Sequence, residues 1–397
     1  MKSVRLKFVA RFAYGDSLSS DHRTDGDVPV YGSNGIVGTH CRANTLAPAI
    51  VVGRKGSFGK LAYSSRAAFC IDTTFFIDRR FSRTDLRWLY YALQTAGLDE
   101  LSQDTGVPGL SRETAYEKAL PVPAEAMQRE IATFLDRKTA AIDALIAKKE
   151  RLIELLQEKR QALITQAVTK GLDPNVPMKE SGVPSLGRCP AHWQLKRLMH
   201  LTPSRRQIMY GIVLPGPNVA EGIPIVKSGD CVAEKLRLDR LHRTTPEIEA
   251  PFARARLEPG DIVYAIRGSI GMAAMVPPEL RGANLTQDAA RIAPRFGIGG
   301  RWLLYVVQST GVWSQLQAGV VGATVKGINI RDLKRPMVPV PPQVEQNQIF
   351  RFLDGAIGGM DKARASTERS VELLREYRQA LITAAVTGKI DVTKEAA

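Results

Sequence analysis

Residues 120–173 begin LPVPAEAMQREIATFLD and end EKRQALITQAVTKGLD; residues 338–391 begin VPVPPQVEQNQIFRFLD and end EYRQALITAAVTGKID. The two stretches align without a gap at an offset of 218, and about half of their 54 positions are identical. The block Arg160-Gln161-Ala162-Leu163-Ile164-Thr165 recurs whole at Arg378 to Thr383. Chance does not produce such a match; it is a duplication, and a repeat of this kind governs the architecture.

Each copy reads as a long helix. In the first, Ile131, Leu135, Ile142, Leu145, Leu152, Leu156 and Leu163 recur at steps of three, four and their sums; in the second, Ile349, Leu353, Met360, Leu374 and Leu381 hold the same offsets. That is the a/d seam of a coiled coil. Pro121 and Pro123, and likewise Pro339, Pro341 and Pro342, stand at the entrances, where proline is tolerated. Gly171 and Gly388 stand at the exits, where glycine commonly stops a helix. A helix of about 40 residues is about 60 Å long. The simplest use of two such seams is mutual packing, with Leu135, Leu156, Leu353 and Leu374 as packing residues, because a long apolar stripe left in water is an aggregation liability. Lys138, Lys149 and Lys159 interrupt the first seam, and Arg364, Thr367 and Arg378 the second; these are either solvated edges or contacts to another subunit.

The segments before the helices repeat more faintly. Lys55-Gly56-Ser57-Phe58-Gly59 resembles Arg267-Gly268-Ser269-Ile270-Gly271, Gly109-Leu110-Ser111 matches Gly327-Ile328-Asn329, and Arg87-Trp88-Leu89-Tyr90-Tyr91 resembles Arg301-Trp302-Leu303-Leu304-Tyr305. Short β-type runs lie at Ala49–Val52, Phe75–Asp78, Ile223–Val226, Ile262–Ile266 and Ala289–Ala293, with helical stretches near 84–96 and 300–317. The fold class is therefore α+β: two mixed α/β domains separated by two long antiparallel helices in a pseudo-two-fold internal repeat. The expected boundaries are domain 1 over 1–122, helix 1 over 123–169, a Pro/Gly/Ser-rich linker over 170–192, domain 2 over 193–340, helix 2 over 341–387 and a tail over 388–397. The globular parts have diverged far more than the helices, which fits two readers of different targets on one frame.

The formal net charge is +15, a surplus that attracts polyanions, nucleic acid first among them. The four cysteines, Cys41, Cys70, Cys189 and Cys231, form no C-x-x-C pair and have no histidine at ligand spacing, which argues against a disulfide framework or a zinc site. The opening MKSVRLKFVARFAYGD has no apolar core of a secretory signal, and no apolar run approaches the roughly 20 residues that cross a bilayer, so a cytoplasmic protein is expected. Enzyme signatures are missing. The segment Gly53 to Leu61 superficially suggests a P-loop but lacks glycine at the first position and Ser/Thr after the lysine. There is no N/D-P-P-Y/F tetrapeptide, no glycine-rich turn suited to S-adenosylmethionine, no P-D…E-x-K nuclease pattern and no nucleophile beside a base. Together these favour a binding subunit over a catalyst.

The order globular domain, P-x-P, long helix ending R-Q-A-L-I-T-x-A-V-T, Pro/Gly linker, then the same again resembles the specificity subunits of type I restriction-modification systems. The linker Gly171-Leu172-Asp173-Pro174-Asn175-Val176-Pro177-Met178-Lys179, with Ser181-Gly182-Val183, Leu186-Gly187 and His192-Trp193, is especially typical. One departure is that the first half starts directly at Val4-Arg5-Leu6-Lys7, without the lead-in before Arg197-Leu198, so its N-terminal edge is expected to differ. The resemblance implies a non-catalytic subunit whose two target-recognition domains each read one half of a bipartite site in double-stranded DNA. It implies that the helices fix the spacer and dock methyltransferase subunits, and that endonuclease/translocase subunits join for cleavage. No cofactor is expected in this chain; S-adenosylmethionine, ATP and Mg belong to the partner subunits.

Cation-bearing glycine loops are the first candidates for DNA contact: Arg54, Lys55 and Ser57 in the first half, Arg267 and Ser269 in the second. A tight turn with an incidental charge is the plainer reading. A second set is Lys326 and Asn329, with Ser111 and Arg112 opposite; a third is Tyr31, Ser33 and Asn34, with Lys227, Ser228 and Asp230, in polar turns after a short strand. Arginine bidentate to guanine would be the commonest specific contact. The alternative to DNA reading is a coiled-coil protein-interaction scaffold whose charge serves solubility, and a third reading is a self-sufficient modification enzyme.

Overall fold

The computed structural model describes residues 2–100, 109–318 and 327–394. The chain divides into two units, one formed by Met1–Arg151 with Thr367–Ala397 and the other by Leu152–Ser366. The long helices run over Glu125–Lys170 and Gln343–Val386. Each unit therefore contains one globular domain, the first part of the helix that follows it in the chain and the last part of the other helix.

In the first unit, Ala13–Tyr14, Thr74–Ile77, Ala49–Gly53 and Leu61–Ser64 form, in that spatial order, a four-stranded antiparallel sheet. A three-stranded sheet has Val28–Gly32 at its centre, antiparallel to Gly35–His40 and parallel to Phe69–Cys70. Lys2–Arg5 pairs with Ala119–Val122, the strand that leads into the first long helix. The five β-runs expected from sequence all form strands, within a residue or two at their ends.

The second unit repeats this plan. Met209–Tyr210, Ala289–Ile292, Ile262–Ala265 and Ala273–Met275 make the four-stranded sheet; His242–Thr244, Ile223–Val226 and Asn284–Leu285 make the three-stranded one; Gln194–Arg197 pairs with Met337–Val340. The Lys2–Arg5 edge is thus built like the Gln194–Arg197 edge, contrary to the expectation that the first domain begins differently. The Leu6 N–H donates to the Lys118 carbonyl as the Leu198 N–H does to that of Pro336. Strand pairing depends on backbone donors and acceptors, so it persists where side chains have diverged. The segment expected to be a plain linker contains a hairpin, Met178–Glu180 against Arg188–Pro190.

The core of the first unit gathers Trp88, Leu89 and Tyr91 with Ile131, Leu135 and Ile142 of the first long helix and Leu381, Ile382 and Ala385 of the second. The core of the second unit gathers Trp302, Leu303 and Tyr305 with Ile349, Leu353 and Ile357 of the second helix and Ile164, Ala167 and Val168 of the first. Burial of the seam is accordingly strongest toward the helix ends, where a globular domain covers it. Leu135 and Leu353 are fully buried and Leu374 partly so, whereas Leu145 and Leu152 are exposed. An apolar period in sequence identifies the buried stripe but not the surface that buries it.

Side chains at each domain–helix junction are matched one for one. Asp136 accepts from Arg87 Nε and from Tyr91 Oη, both at 2.6 Å. Asp354 accepts from Tyr305 Oη at 2.7 Å and pairs with Arg301 at 2.7 Å. Burial, and then the hydrogen bond to Asp136, pushes the Tyr91 phenol up to about 12, so it stays a proton donor. At the first junction, buried Gln128 accepts from the Asp85 N–H at 2.9 Å and donates to the Pro123 carbonyl at 2.9 Å. At the second, Gln346 accepts from the Gly299 N–H at 2.8 Å and donates to the Pro341 carbonyl at 3.0 Å. Each glutamine thus satisfies a carbonyl at the proline-flanked entrance of its long helix and the N–H of the residue that caps a domain helix, Leu86–Leu93 or Gly300–Gln308.

Candidate nucleic-acid interface

In the first unit three separate stretches of sequence meet around the loop that follows strand Ala49–Gly53. Gly56 and Gly59 have φ of +75° and +73°, which residues with side chains adopt with strain, and the Gly59 N–H closes the loop on the Gly53 carbonyl at 2.9 Å. Gly268 and Gly271, at +63° and +89°, build the same loop in the second unit, closed by the Gly271 N–H on the Ala265 carbonyl at 3.0 Å. The repeated glycines are thus a repeated backbone conformation that turns Lys55 and Ser57, and likewise Arg267 and Ser269, out to solvent.

The segment before the last strand docks on this loop. The Leu110 N–H donates to the Arg54 carbonyl at 2.8 Å, and the Ile328 N–H donates to the Ile266 carbonyl at 2.8 Å. That contact brings Ser111 and Arg112 beside Arg54, and Asn329 beside Arg267. The turn after the central strand of the smaller sheet comes to the same place. A side chain at Gly56 would lie 3.6 Å from Ser33 Oγ, and one at Gly268 would lie 3.2 Å from Ser228 Oγ. Lys60 Nζ donates to Asn34 Oδ1 at 2.7 Å, tying that turn to the loop. In the second unit Lys227 Nζ stands 3.0 Å from His242 Nδ1.

Two of the candidate residues are held otherwise than a DNA contact requires. Tyr31 is buried in a small core with Val51, Ala68, Cys70 and Phe76, because it points inward from the central strand of its sheet. The Ser111 hydroxyl caps the helix Arg112–Tyr116, accepting from the Thr114 N–H at 3.3 Å, so its first role is structural. Lys326 lies outside the described residues.

The structure adds a residue that the sequence analysis passed over. Tyr14 is 46% exposed, and two guanidinium groups lie over its ring, Arg54 at 4.8 Å and Arg112 at 5.0 Å from the centroid. Stacking helps hold both forks in place; Arg54 commits one nitrogen to the Asp72 carbonyl at 3.2 Å, and Arg112 pairs with Glu113 at 3.5 Å while its Nε is buried. Tyr210 occupies the matching place in the second unit's sheet and is also 46% exposed. The signal was the dipeptide Tyr-Gly at 14–15 and 210–211. A side-chain carbon at either glycine would come within 2.1 Å of a backbone oxygen, that of Ile71 or Leu285. Arg267 is less constrained, 3.9 Å from Asp288 and about half exposed.

Among the described residues, no group of three or more His, Cys, Asp or Glu is placed to hold a metal ion. Nor is any helix of those residues long and apolar enough to cross a membrane. The geometry offers solvent-facing guanidinium, ammonium, hydroxyl and amide groups on rigid turns, once in each unit. This is the equipment of a nucleic-acid-binding protein with two domains.

Residues 1–155 match the family of the type I restriction modification DNA specificity domain. The chain is 25% identical over 351 residues, 86% of its length and 73% of the other protein's, to the type I restriction enzyme EcoBI specificity subunit of Escherichia coli. It superposes with a TM-score of 0.67 at 15% identity, covering 98% of both chains, on a chain from a structural study of complex assembly and conformational transition of the type I R-M system. The HsdS subunit from Thermoanaerobacter tengcongensis gives a TM-score of 0.47 at 15% identity, over 98% of this chain and 97% of that one. Residues 1–155 thus match the type I restriction modification DNA specificity domain, and the chain as a whole is similar to a type I restriction enzyme specificity subunit.

Proposed function

We propose that this chain is the non-catalytic, cytoplasmic specificity subunit of a type I restriction-modification complex, and that each of its two recognition domains, 1–122 and 193–340, reads one half of a bipartite site in double-stranded DNA. The observation that carries this reading is the duplicated cluster: one glycine loop, one polar turn and one exposed tyrosine, built twice from sequences that otherwise differ. Arg54, Lys55, Ser57, Arg112 and Asn34 face the first half-site; Arg267, Ser269, Asn329, Lys227 and Ser228 face the second. Loop arginines read base edges, where one bidentate pair is worth about 1–3 kcal/mol of discrimination.

The two long helices pair as an antiparallel coiled coil and set the spacer between the half-sites. Methyltransferase subunits dock on them, and endonuclease/translocase subunits join for cleavage. S-adenosylmethionine, ATP and Mg belong to those partners, and methyl transfer takes place there.

The test is co-expression with the methyltransferase subunit encoded beside it, followed by genome-wide mapping of modified adenines. A split motif with a fixed spacer is the expected outcome. Arg267→Ala should relax one half of the motif and leave the other intact; equal loss at every sequence would make Arg267 a phosphate contact. Inserting one helical turn, about 5.4 Å, near residues 145–150 should lengthen the spacer by one or two base pairs with both halves retained. An unchanged spacer would refute the helices as a ruler. A protein-interaction scaffold would instead leave duplexes of different sequence bound alike.

A further inference from the structure

The two units build their smaller sheet differently. In the second unit the strands Ile223–Val226 and His242–Thr244 are joined through residues 227–241. In the first, Val28–Gly32 turns directly into Gly35–His40 as a tight hairpin, with Gly35 at φ +121°. The returning strand is the edge of its sheet and carries Ile36 and Val37, which are 62% and 44% exposed. An exposed apolar edge strand is a pairing hazard that proteins normally blunt. Among the described residues it is blunted at Val37, whose carbonyl accepts from Arg23 Nη1 at 2.6 Å, and at His40, whose Nδ1 accepts from the Thr24 N–H at 3.1 Å. The side chain of Ile36 is left 62% exposed.

The position of this strand narrows what covers it. The tip, Ser33-Asn34, rests on the glycine loop and is tied to Lys60, so Ile36 stands two residues from the cluster that carries Arg54, Lys55 and Lys60. A cationic rim around an apolar edge suits a polyanion with apolar groups inside its groove. A two-stranded ribbon fits the major groove of B-DNA, and the apolar group displayed there is the 5-methyl of thymine.

We propose that the tip of this hairpin, Gly32 to Ile36, which projects beyond the strand Phe69–Cys70, reaches the major groove of the half-site read by the first domain and that Ile36 recognises a thymine methyl group. The inference rests on the first domain being a DNA reader. It goes further in assigning the hairpin's groove, the base and the atom read.

The complex of this chain with its methyltransferase partner is tested by competition binding on duplexes carrying the mapped site. Each thymine of both half-sites is replaced singly by deoxyuridine, which deletes the methyl and nothing else. The expected result is about a four-fold loss at one or two thymines of one half-site, the worth of one buried methyl. Ile36→Ser should bind thymine and deoxyuridine duplexes alike at those positions and keep its response to changes in the other half-site, which also shows that the variant is folded. Indifference of the native complex to every deoxyuridine, or discrimination that survives in both Ile36→Ser and Ile36→Ala, overturns the proposal. In either case preference for the mapped site over scrambled DNA leaves the specificity reading standing; loss of that preference in the native complex would remove the broader reading as well.

Discussion

Arg378 grips Asp143 through two nitrogens, Nε at 2.8 Å and Nη2 at 3.2 Å, inside the first unit, and Arg160 faces Asp361 at 3.7 Å inside the second. Both members of one pair map onto the other at the repeat offset of 218, so one ion pair is built twice from interchanged helices. Arg375 also meets Glu150 at 2.7 Å, and as the first helix advances from 143 to 150 its partners retreat from 378 to 375. The helix segments inside the first unit therefore run antiparallel. A position that interrupts the apolar seam in sequence becomes a contact that fixes register.

Reversing that contact should show its coupling. Arg378→Asp is expected to lower the stability of the first unit, and Asp143→Arg in the same chain to restore part of it. Both groups are partly solvated, so the coupling should be about 0.5–1 kcal/mol and should shrink at high salt. Urea denaturation of the four chains of the cycle at low and high salt measures it; strict additivity would mean the pair carries no energy.

The junction glutamines should cost more than any surface ion pair. Gln346→Ala leaves the half-buried Gly299 N–H and the buried Pro341 carbonyl without their partner. One such orphan costs about 1–3 kcal/mol, and Gln128→Ala should cost the first unit a similar amount through Asp85 and Pro123. Thermal unfolding followed by tryptophan fluorescence suits both, since Trp88 and Trp302 are fully buried in the two cores.

Tyr14 is expected to act through its ring. Tyr14→Phe should leave DNA affinity near that of the native chain, because the stacked surface for Arg54 and Arg112 remains. Tyr14→Ala removes the ring nearest both guanidiniums and leaves them only the more distant Phe75 and Tyr116; two cation–π contacts of about 0.5–1 kcal/mol each set an upper limit of about a five- to thirty-fold loss. Fluorescence anisotropy on the cognate duplex distinguishes the two, and a Tyr14→Phe defect as large as that of Tyr14→Ala would point to the hydroxyl instead.

Acid should loosen the second unit through Glu249. Its carboxylate is fully buried and takes hydrogen bonds from Arg256 at 2.8 and 2.6 Å and from Asn284 at 2.7 Å. The Arg256 contact holds its pKa below the ordinary glutamate value, against the opposing effect of burial and with help from Asn284. Because the folded value is the lower one, the stabilisation is present above the unfolded value, about 4.3, and is lost as pH falls through the folded value. Denaturant midpoints between pH 3 and 7 should fall at the acid end for the native chain and change less for Glu249→Gln, which should also start about 1.5–3 kcal/mol lower.

The amino-acid sequence by itself determined the duplication, the two long helices, the strand positions and the loops bearing Arg54 and Arg267. All of these are written in short-range patterns: identity at a fixed offset, an apolar period near 3.6, glycines where φ is positive. Tertiary structure decided what sequence separation hid. It brought Tyr14, Arg54 and Arg112 into one stack from three distant segments, turned Tyr31 inward although it sits in a polar context, and exposed Ile36 although its residue type favours burial. It also decided that the seam is buried most at its ends, where Leu135 and Leu353 meet globular cores, and that the first helix completes the core built by the second domain. The physical reason is that an apolar stripe records how much surface must leave water, while the partner that covers it is chosen by which faces the whole chain brings together.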